Sequence, residues 1–170
     1  SSRALRDITE KHGGTYQASA VGEVNVVELM KKTNAIIGGE GNGGIIYPSS
    51  HYGRDSMVGV ALFLTYLANQ DKTVAEIRAS YPQYFMSKNK IELTPQIDVD
   101  NVLATLTEKY KSENSTTIDG VKIDSPTEWV HLRKSNTEPI IRIYTEAPTQ
   151  SEADILAERF VKELKEIAGI

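Results

Sequence analysis

Two apolar, β-prone runs lie close together in the second half of the chain, Trp129-Val130-His131-Leu132 and Ile140-Ile141-Arg142-Ile143-Tyr144. Between them stand seven polar or turn-forming residues, Arg133-Lys134-Ser135-Asn136-Thr137-Glu138-Pro139. Runs of this kind so near in sequence are predicted to pair as a hairpin, with a connection longer than a tight turn needs. The surrounding sequence supplies more of the same architecture. Ile118-Asp119-Gly120-Val121-Lys122-Ile123 places an Asp-Gly turn signal among β-branched residues and reads as a second hairpin. Val99 to Tyr110 is helical, with Val102, Leu103, Leu106 and Tyr110 on one face. Ser151 to Ile167 is a closing helix with the stripe Ile155, Leu156, Phe160, Leu164 and Ile167. Strands with a helix at each end define a small α+β domain with an antiparallel sheet and helices on one face.

The first half has another texture. Ser2 is placed to cap a helix that Gly13-Gly14 ends. Thr15 to Val21 reads as a strand, Val24 to Lys32 as a short helix, and Asn34-Ala35-Ile36-Ile37 as a strand buried on both faces. Ile45-Ile46-Tyr47 returns as a strand, and Asp55 or Ser56 caps a long helix to about Asn69 whose Leu/Ala stripe reads as core. Thr73-Val74-Ala75-Glu76 is a capping box. Alternating helices and strands make this part α/β. Tyr84 to Leu93 is expected to be extended and Thr94-Pro95-Gln96 to be a junction, which divides the chain into 1–92 and 93–170. The fold class is therefore α/β: a partial mixed α/β domain followed by the α+β domain.

The totals exclude several classes. With 39% hydrophobic and 25% charged residues the chain is an ordinary globular protein. A net charge of −4 argues against broad nucleic-acid binding. No apolar run approaches the roughly 20 residues that span a bilayer, so no membrane role is expected. The absence of cysteine removes disulfides, thiolate metal sites and thiol nucleophiles, and is compatible with the cytosol, where the protein is expected to reside. His12, His51 and His131 show no metal-ligand spacing.

Two stretches carry chemistry. In the first, Arg133, Lys134, Ser135, Asn136 and Thr137 are donors suited to a phosphate, and Arg142 in the next strand adds a second guanidinium. The same residues also suit a solvated hairpin loop whose Ser, Asn and Thr only stabilise turns. The second is Gly39-Glu40-Gly41-Asn42-Gly43-Gly44, where a glycine-rich backbone allows close approach and Glu40 and Asn42 suit vicinal sugar hydroxyls. A flexible hairpin with incidental polar residues fits it as well. The dinucleotide spacing G-x-G-x-x-G before a helix is absent.

The string R-x-S-x-T-E-P followed by I-x-R resembles the phosphate-binding loop of the α-D-phosphohexomutases, the phosphoglucomutase/phosphomannomutase/phosphoglucosamine mutase family. Residues 39–44 resemble the family's G-E-x-S-G-H sugar loop, with Asn42 in place of Ser and Gly44 in place of His. Val21-Gly22 resembles its T-x-V-G segment, and Asp55-Ser56-Met57 stands where the family has D-G-I. The two loops, in the family's order, cover nearly the whole chain.

The resemblance implies a piece of a four-domain enzyme. Residues 1–92 would be most of its third, sugar-binding domain without the first strand, and 93–170 its C-terminal phosphate-binding domain. The activity implied is interconversion of hexose 1-phosphate and hexose 6-phosphate through a phosphoserine enzyme. Hexose 1,6-bisphosphate would be the intermediate and magnesium the metal. The implied substrate-binding residues are Glu40, Asn42, Gly43, Arg133, Ser135, Asn136, Thr137 and Arg142, with a phosphorylated hexose as ligand. The phosphoserine string T-x-S-H-N-P and the metal string D-G-D-G-D-R do not occur, since Tyr52-Gly53 follows Ser49-Ser50-His51. The missing N-terminal domains are expected to supply both, leaving this chain inactive alone. A non-catalytic binding or interaction module that keeps the phosphate-loop fold is the competing expectation.

Overall fold

The computed structural model describes residues 2–94, 97–135 and 137–170. The chain divides into two compact units, Ser1–Gln83 and Tyr84–Ile170. The first opens with α1 (Arg3–Lys11), whose Ala4 N–H donates to the Ser2 hydroxyl, as the capping pattern requires. Next comes α2 (Glu23–Thr33), which ends at Asn34 in a left-handed conformation. A two-stranded antiparallel hairpin of β1 (Gly38–Gly39) and β2 (Ile45–Ile46) follows. Asp55 caps α3 (Ser56–Ala68) by accepting from the N–H groups of Met57 and Val58. The expected capping box opens α4 (Val74–Ala79): Thr73 Oγ1 accepts from Glu76 N–H, and the Glu76 carboxylate accepts from Thr73 N–H.

Two strands expected in this unit do not form. Thr15 to Val21 belongs to neither sheet, and the run Asn34 to Ile37 precedes β1 without joining it. Ile36 is 80% exposed, the opposite of a strand buried on both faces. A doubly buried strand needs a neighbour on each side, and among the described residues this sheet has only two strands. The apolar stripe of α3 likewise points to solvent, with Val60 and Leu64 at least half exposed, so it is not core as expected.

The second unit is a five-stranded antiparallel sheet with two helices. Its strands are β3 (Phe85–Glu92), β4 (Ser115–Thr116), β5 (Val121–Asp124), β6 (Trp129–Lys134) and β7 (Ile140–Ala147), in the order β3-β7-β6-β5-β4. The helices are α5 (Val99–Lys109) and α6 (Gln150–Ala168). Here the unit boundary departs from the sequence expectation. The run read as the end of the first domain is β3, which pairs along its whole length with β7, from Phe85 opposite Ala147 to Glu92 opposite Ile140. Ladder hydrogen bonds, invisible in a linear pattern, move the division from Glu92/Leu93 to Gln83/Tyr84. The junction residues Pro95 and Gln96 lie outside the described residues.

Alternation along the strands sorts the two faces. Val121, Ile123, Val130, Leu132, Ile141 and Ile143 face α5 and α6, meeting Val102, Leu106, Leu156, Phe160 and Leu164 in one core. Burying each such large side chain contributes about 1.5–3 kcal/mol, which makes this layer the main stabilising feature of the unit. Polar groups at its edge are partnered. Tyr110 donates to Glu163 at 2.7 Å and accepts from Arg159 at 3.1 Å. The opposite face carries His131, Arg133, Arg142 and Tyr144 together with the buried Trp129, whose Nε1 donates to Glu146 at 2.8 Å.

Candidate functional site

The phosphate-loop candidates lie at one end of the β6–β7 hairpin. Arg133 and Lys134 are strand residues rather than loop residues, so the connection shortens to residues 135–139. Ser135 is buried and closes the hairpin by donating its N–H to Ile140 O at 3.0 Å. Thr137 is exposed, and Asn136 lies outside the described residues. Arg133 stands directly opposite Arg142, and Lys90 of β3 stands opposite Arg142 on its other side. Residues opposite one another project to the same face. Their neighbours Leu132, Ile141, Ile143 and Ile91 fill the core, so Lys90, Arg142 and Arg133 form a cationic row across three strands of the open face.

Like charges directly opposite on paired strands repel. An acidic residue partly offsets this at each position of the row: Glu138 Oε2 lies 2.6 Å from Arg142 Nη2 in the middle, and at the two ends Asp119 Oδ2 lies 3.9 Å from Arg133 Nη1 and Glu92 Oε1 lies 4.0 Å from Lys90 Nζ. Between the guanidiniums the field favours an anion, and planar N–H pairs suit a phosphate. Glu138 thus serves Arg142, while Asp119 approaches Arg133. Lys90 escapes a reading of the sequence because only strand register brings it beside Arg142, from more than fifty positions away.

The sugar-loop candidates form a second cluster, within the first unit. The β1–β2 hairpin closes with Glu40 N–H donating to Gly44 O at 3.1 Å and Gly43 N–H donating to Glu40 O at 3.3 Å. Gly43 has φ +89°, a conformation that side chains disfavour. Asn42 Oδ1 accepts from Gly44 N–H at 3.1 Å, and Asn42 Nδ2 donates to Glu40 Oε2 at 3.4 Å. The two candidate readers are therefore coupled. An open cleft of about 670 Å³ adjoins them, lined by Glu23, Asn42, Gly44, Gly53, Arg54 and Ser56.

Spacing in the sequence does not single out Glu23 and Arg54, since they meet only through the fold. Arg54 Nε donates to Glu23 Oε2 at 2.8 Å and Arg54 N–H to Glu23 Oε1 at 3.2 Å. The methylene stem of Arg54 occupies the space over Gly44, where a Cβ would fall 2.6 Å from Arg54 Cδ. A side chain at this position would displace the Arg54 stem. His51 is turned to another task. Gly53 N–H donates to its Nδ1 and its Nε2 lies 3.0 Å from Asp55 Oδ2, tying it to the α3 cap. Hydrogen bonds from Val58 and His51 hold the Asp55 carboxyl below the usual carboxylate range. Among the described residues no group of three or more His, Asp or Glu side chains converges as a metal site. No helix among them is long and apolar enough to cross a membrane.

The chain thus joins a mixed α/β unit with a glycine-rich polar hairpin to an antiparallel α+β unit with a cationic row on its sheet. Comparison with known proteins agrees in both halves. Residues 1–84 match the family described as "Phosphoglucomutase/phosphomannomutase, alpha/beta/alpha domain III", and residues 67–163 match "Phosphoglucomutase/phosphomannomutase, C-terminal domain". The chain is 36% identical over 169 residues to the phosphoglucosamine/phosphogalactosamine mutase of Sulfurisphaera tokodaii, covering 98% of this chain and 36% of that protein. It is 36% identical over 167 residues to the phosphoglucomutase/phosphomannomutase of Thermococcus kodakarensis, covering 97% and 36%. Among solved structures, a family member from Burkholderia thailandensis superposes with TM-score 0.78 at 22% identity, over 97% of this chain and 35% of that one. Aspergillus fumigatus N-acetylphosphoglucosamine mutase in complex with glucose 1,6-bisphosphate shares the fold with TM-score 0.63 at 16% identity, over 96% and 36%. The chain belongs to the phosphoglucomutase/phosphomannomutase family, as its third and C-terminal domains. It spans about a third of the length of the curated relatives it matches, 36% of each of the two named here.

Proposed function

We propose that this chain is the substrate-binding C-terminal half of a phosphohexomutase that interconverts hexose 1-phosphate and hexose 6-phosphate. The observation that supports this best is the register of Arg133 against Arg142, flanked by Lys90. Three cations in one row repel one another, their carboxylate partners at 2.6, 3.9 and 4.0 Å offset that repulsion only in part, and a phosphate dianion relieves it further. In the proposed reaction a phosphoserine donates to one end of the sugar, the bisphosphate turns around, and the enzyme takes a phosphoryl group back from the other end. Whichever phosphate is not reacting needs one fixed anchor. Arg133, Ser135, Asn136, Thr137 and Arg142 are assigned that role. Glu40, Asn42 and the Gly43 backbone are assigned the hydroxyls. Binding energy from the remote phosphate then supplies orientation at the reacting end.

The phosphoserine and the magnesium are assigned to N-terminal domains of a longer protein, since neither T-x-S-H-N-P nor D-G-D-G-D-R occurs in this sequence. This chain alone is expected to bind without turnover. The proposed compartment is the cytoplasm.

An amide-resolved NMR titration with glucosamine 6-phosphate, glucose 6-phosphate and inorganic phosphate tests the reading, with Arg133→Ala as control. Shifts at residues 133–137 for all three ligands, lost in the control, are expected. Further shifts at Glu40 and Asn42 for one sugar alone name the preferred hexose. If no ligand moves these residues at millimolar concentration, the anchor is wrong and the non-catalytic interaction module takes its place.

A further inference from the structure

The cleft beside the β1–β2 hairpin holds a cation to which the functional reading above gives no role. Arg54 is fixed at its root, because both oxygens of Glu23 are engaged, one by its backbone N–H and one by Nε. Its stem is seated over Gly44. Its far end meets a carboxylate without a hydrogen bond. Nη1 lies 3.7 Å from Glu40 Oε2, beyond hydrogen-bond distance, and among the described residues neither terminal nitrogen donates a hydrogen bond. A guanidinium pre-oriented in this way has already lost the freedom that binding would otherwise remove.

The charge around it selects what it can hold. Two carboxylates, Glu23 and Glu40, flank this one guanidinium. The local balance is therefore negative, which disfavours a phosphate dianion and suits neutral oxygen acceptors. An exposed ion pair is worth little to stability by itself, so holding the fold together is a weak explanation for so ordered an arrangement.

We propose that Arg54 is a further substrate-binding residue, donating from its terminal N–H groups to ring hydroxyl oxygens of the hexose beside those read by Glu40 and Asn42, with Glu23 as the positioning residue that aims it. This rests on the hexose-phosphate reading above. The test follows the side-chain ¹⁵N–¹H signals of Arg54 while the chain is titrated with glucose 6-phosphate and, separately, with inorganic phosphate. Glucose 6-phosphate is expected to shift them and inorganic phosphate is not. Arg54→Lys keeps the charge but loses the clamped fork, and is expected to weaken glucose 6-phosphate binding about tenfold while leaving inorganic phosphate binding within about twofold. Glu23→Gln is expected to weaken the sugar phosphate alone, by about threefold, with unchanged circular dichroism. Unmoved Arg54 signals, or wild-type sugar affinity in Arg54→Lys, while residues 133–137 still respond, would overturn the Arg54 assignment and leave the phosphate anchor standing. An equal response of Arg54 to inorganic phosphate would overturn the hydroxyl assignment in favour of an anion site. No response to glucose 6-phosphate at residues 133–137, Glu40 or Asn42 would remove the functional reading and this inference with it.

Discussion

Gly120 shows how one residue can place a charge. Its φ is +73°, and a Cβ there would lie 2.2 Å from Leu132 O and 2.8 Å from Arg133 Cβ. The β5 end is thereby allowed to approach the backbone that carries Arg133. Gly120→Ala is expected to destabilise the second unit by about 2 kcal/mol or more, read by urea denaturation, and to weaken phosphate binding by displacing Arg133. Arg133→Met makes the converse case. Because Arg133 faces Arg142, its loss is expected to leave the melting temperature within about 4 °C, the equivalent of about 1 kcal/mol, while phosphate binding falls at least about tenfold. His131, on the same sheet face, is half-buried, and loss of solvent depresses its pKa against the weaker opposing pull of Asp119; Arg133 and Lys122 push the same way as burial. Its ring meets the Asp119 carbonyl through Nε2, and Tyr144 stands opposite it. A base with a lowered folded pKa binds fewer protons folded than unfolded. Its contribution is therefore complete above the unfolded value of about 6.5 and is lost as pH falls below that toward the folded pKa. The drop in melting temperature between pH 7.5 and pH 5.5 is expected to be smaller in His131→Gln than in the wild type.

Among the elements, α6 and α3 differ in a way that periodicity does not reveal. In α6 the stripe Leu156, Phe160 and Leu164 is buried as expected, together with Ala153 and Ala157, while Ile155 projects to solvent. Positions on a helix are about 100° apart, and with Leu156 and Ala157 both turned to the core Ile155 falls on the outer side of the stripe. In α3, Val60, Leu64 and Tyr66 are exposed although the helix is apolar nearly all round. Apolar composition tells that a helix is to be covered, and says nothing of what covers it. The start of α3 is legible because a cap is local: Asp55 accepts from Met57 and Val58, two and three residues on. Asp55→Ala is expected to cost about 1 kcal/mol locally and to speed amide exchange in the first turn of α3. Because hydrogen bonding lowers the Asp55 pKa, the cap is at full strength above the unfolded carboxylate range and fails as pH falls through the folded value, so protection of the same amides, taken relative to their intrinsic exchange rate at each pH, should fall below about pH 4.

Across the whole molecule the buried apolar residues are unevenly shared. Among the described residues, the second unit supplies every member of the main core, whereas the first buries only Met30, Ile46 and Ile77 among its large apolar side chains. Local opening follows buried contact. The slowest-exchanging amides of the chain are therefore expected in β6, β7 and α6, with the first unit exchanging faster throughout. Equal protection in both units, measured by hydrogen exchange, would contradict that distribution. The same imbalance explains which expectations held. The second unit is readable because its elements cover one another, so each apolar face in the sequence finds its partner within residues 84–170. The strands expected at Thr15 to Val21 and Asn34 to Ile37 lack such partners among the described residues.

The sequence by itself determined what acts over a few residues. It set the caps at Ser2, Asp55 and Thr73, the strand alternation around residues 133–139, and the identity of the donors in both loops, because capping, pleating and turn formation depend on neighbours in the chain. Only the tertiary structure decided that β3 joins the second sheet, that Lys90 stands in line with Arg142 and Arg133, and that Glu23 reaches Arg54 from 31 residues away. Those juxtapositions arise from ladder register and chain return, which bring together charges whose spacing in the sequence carries no signal of their meeting.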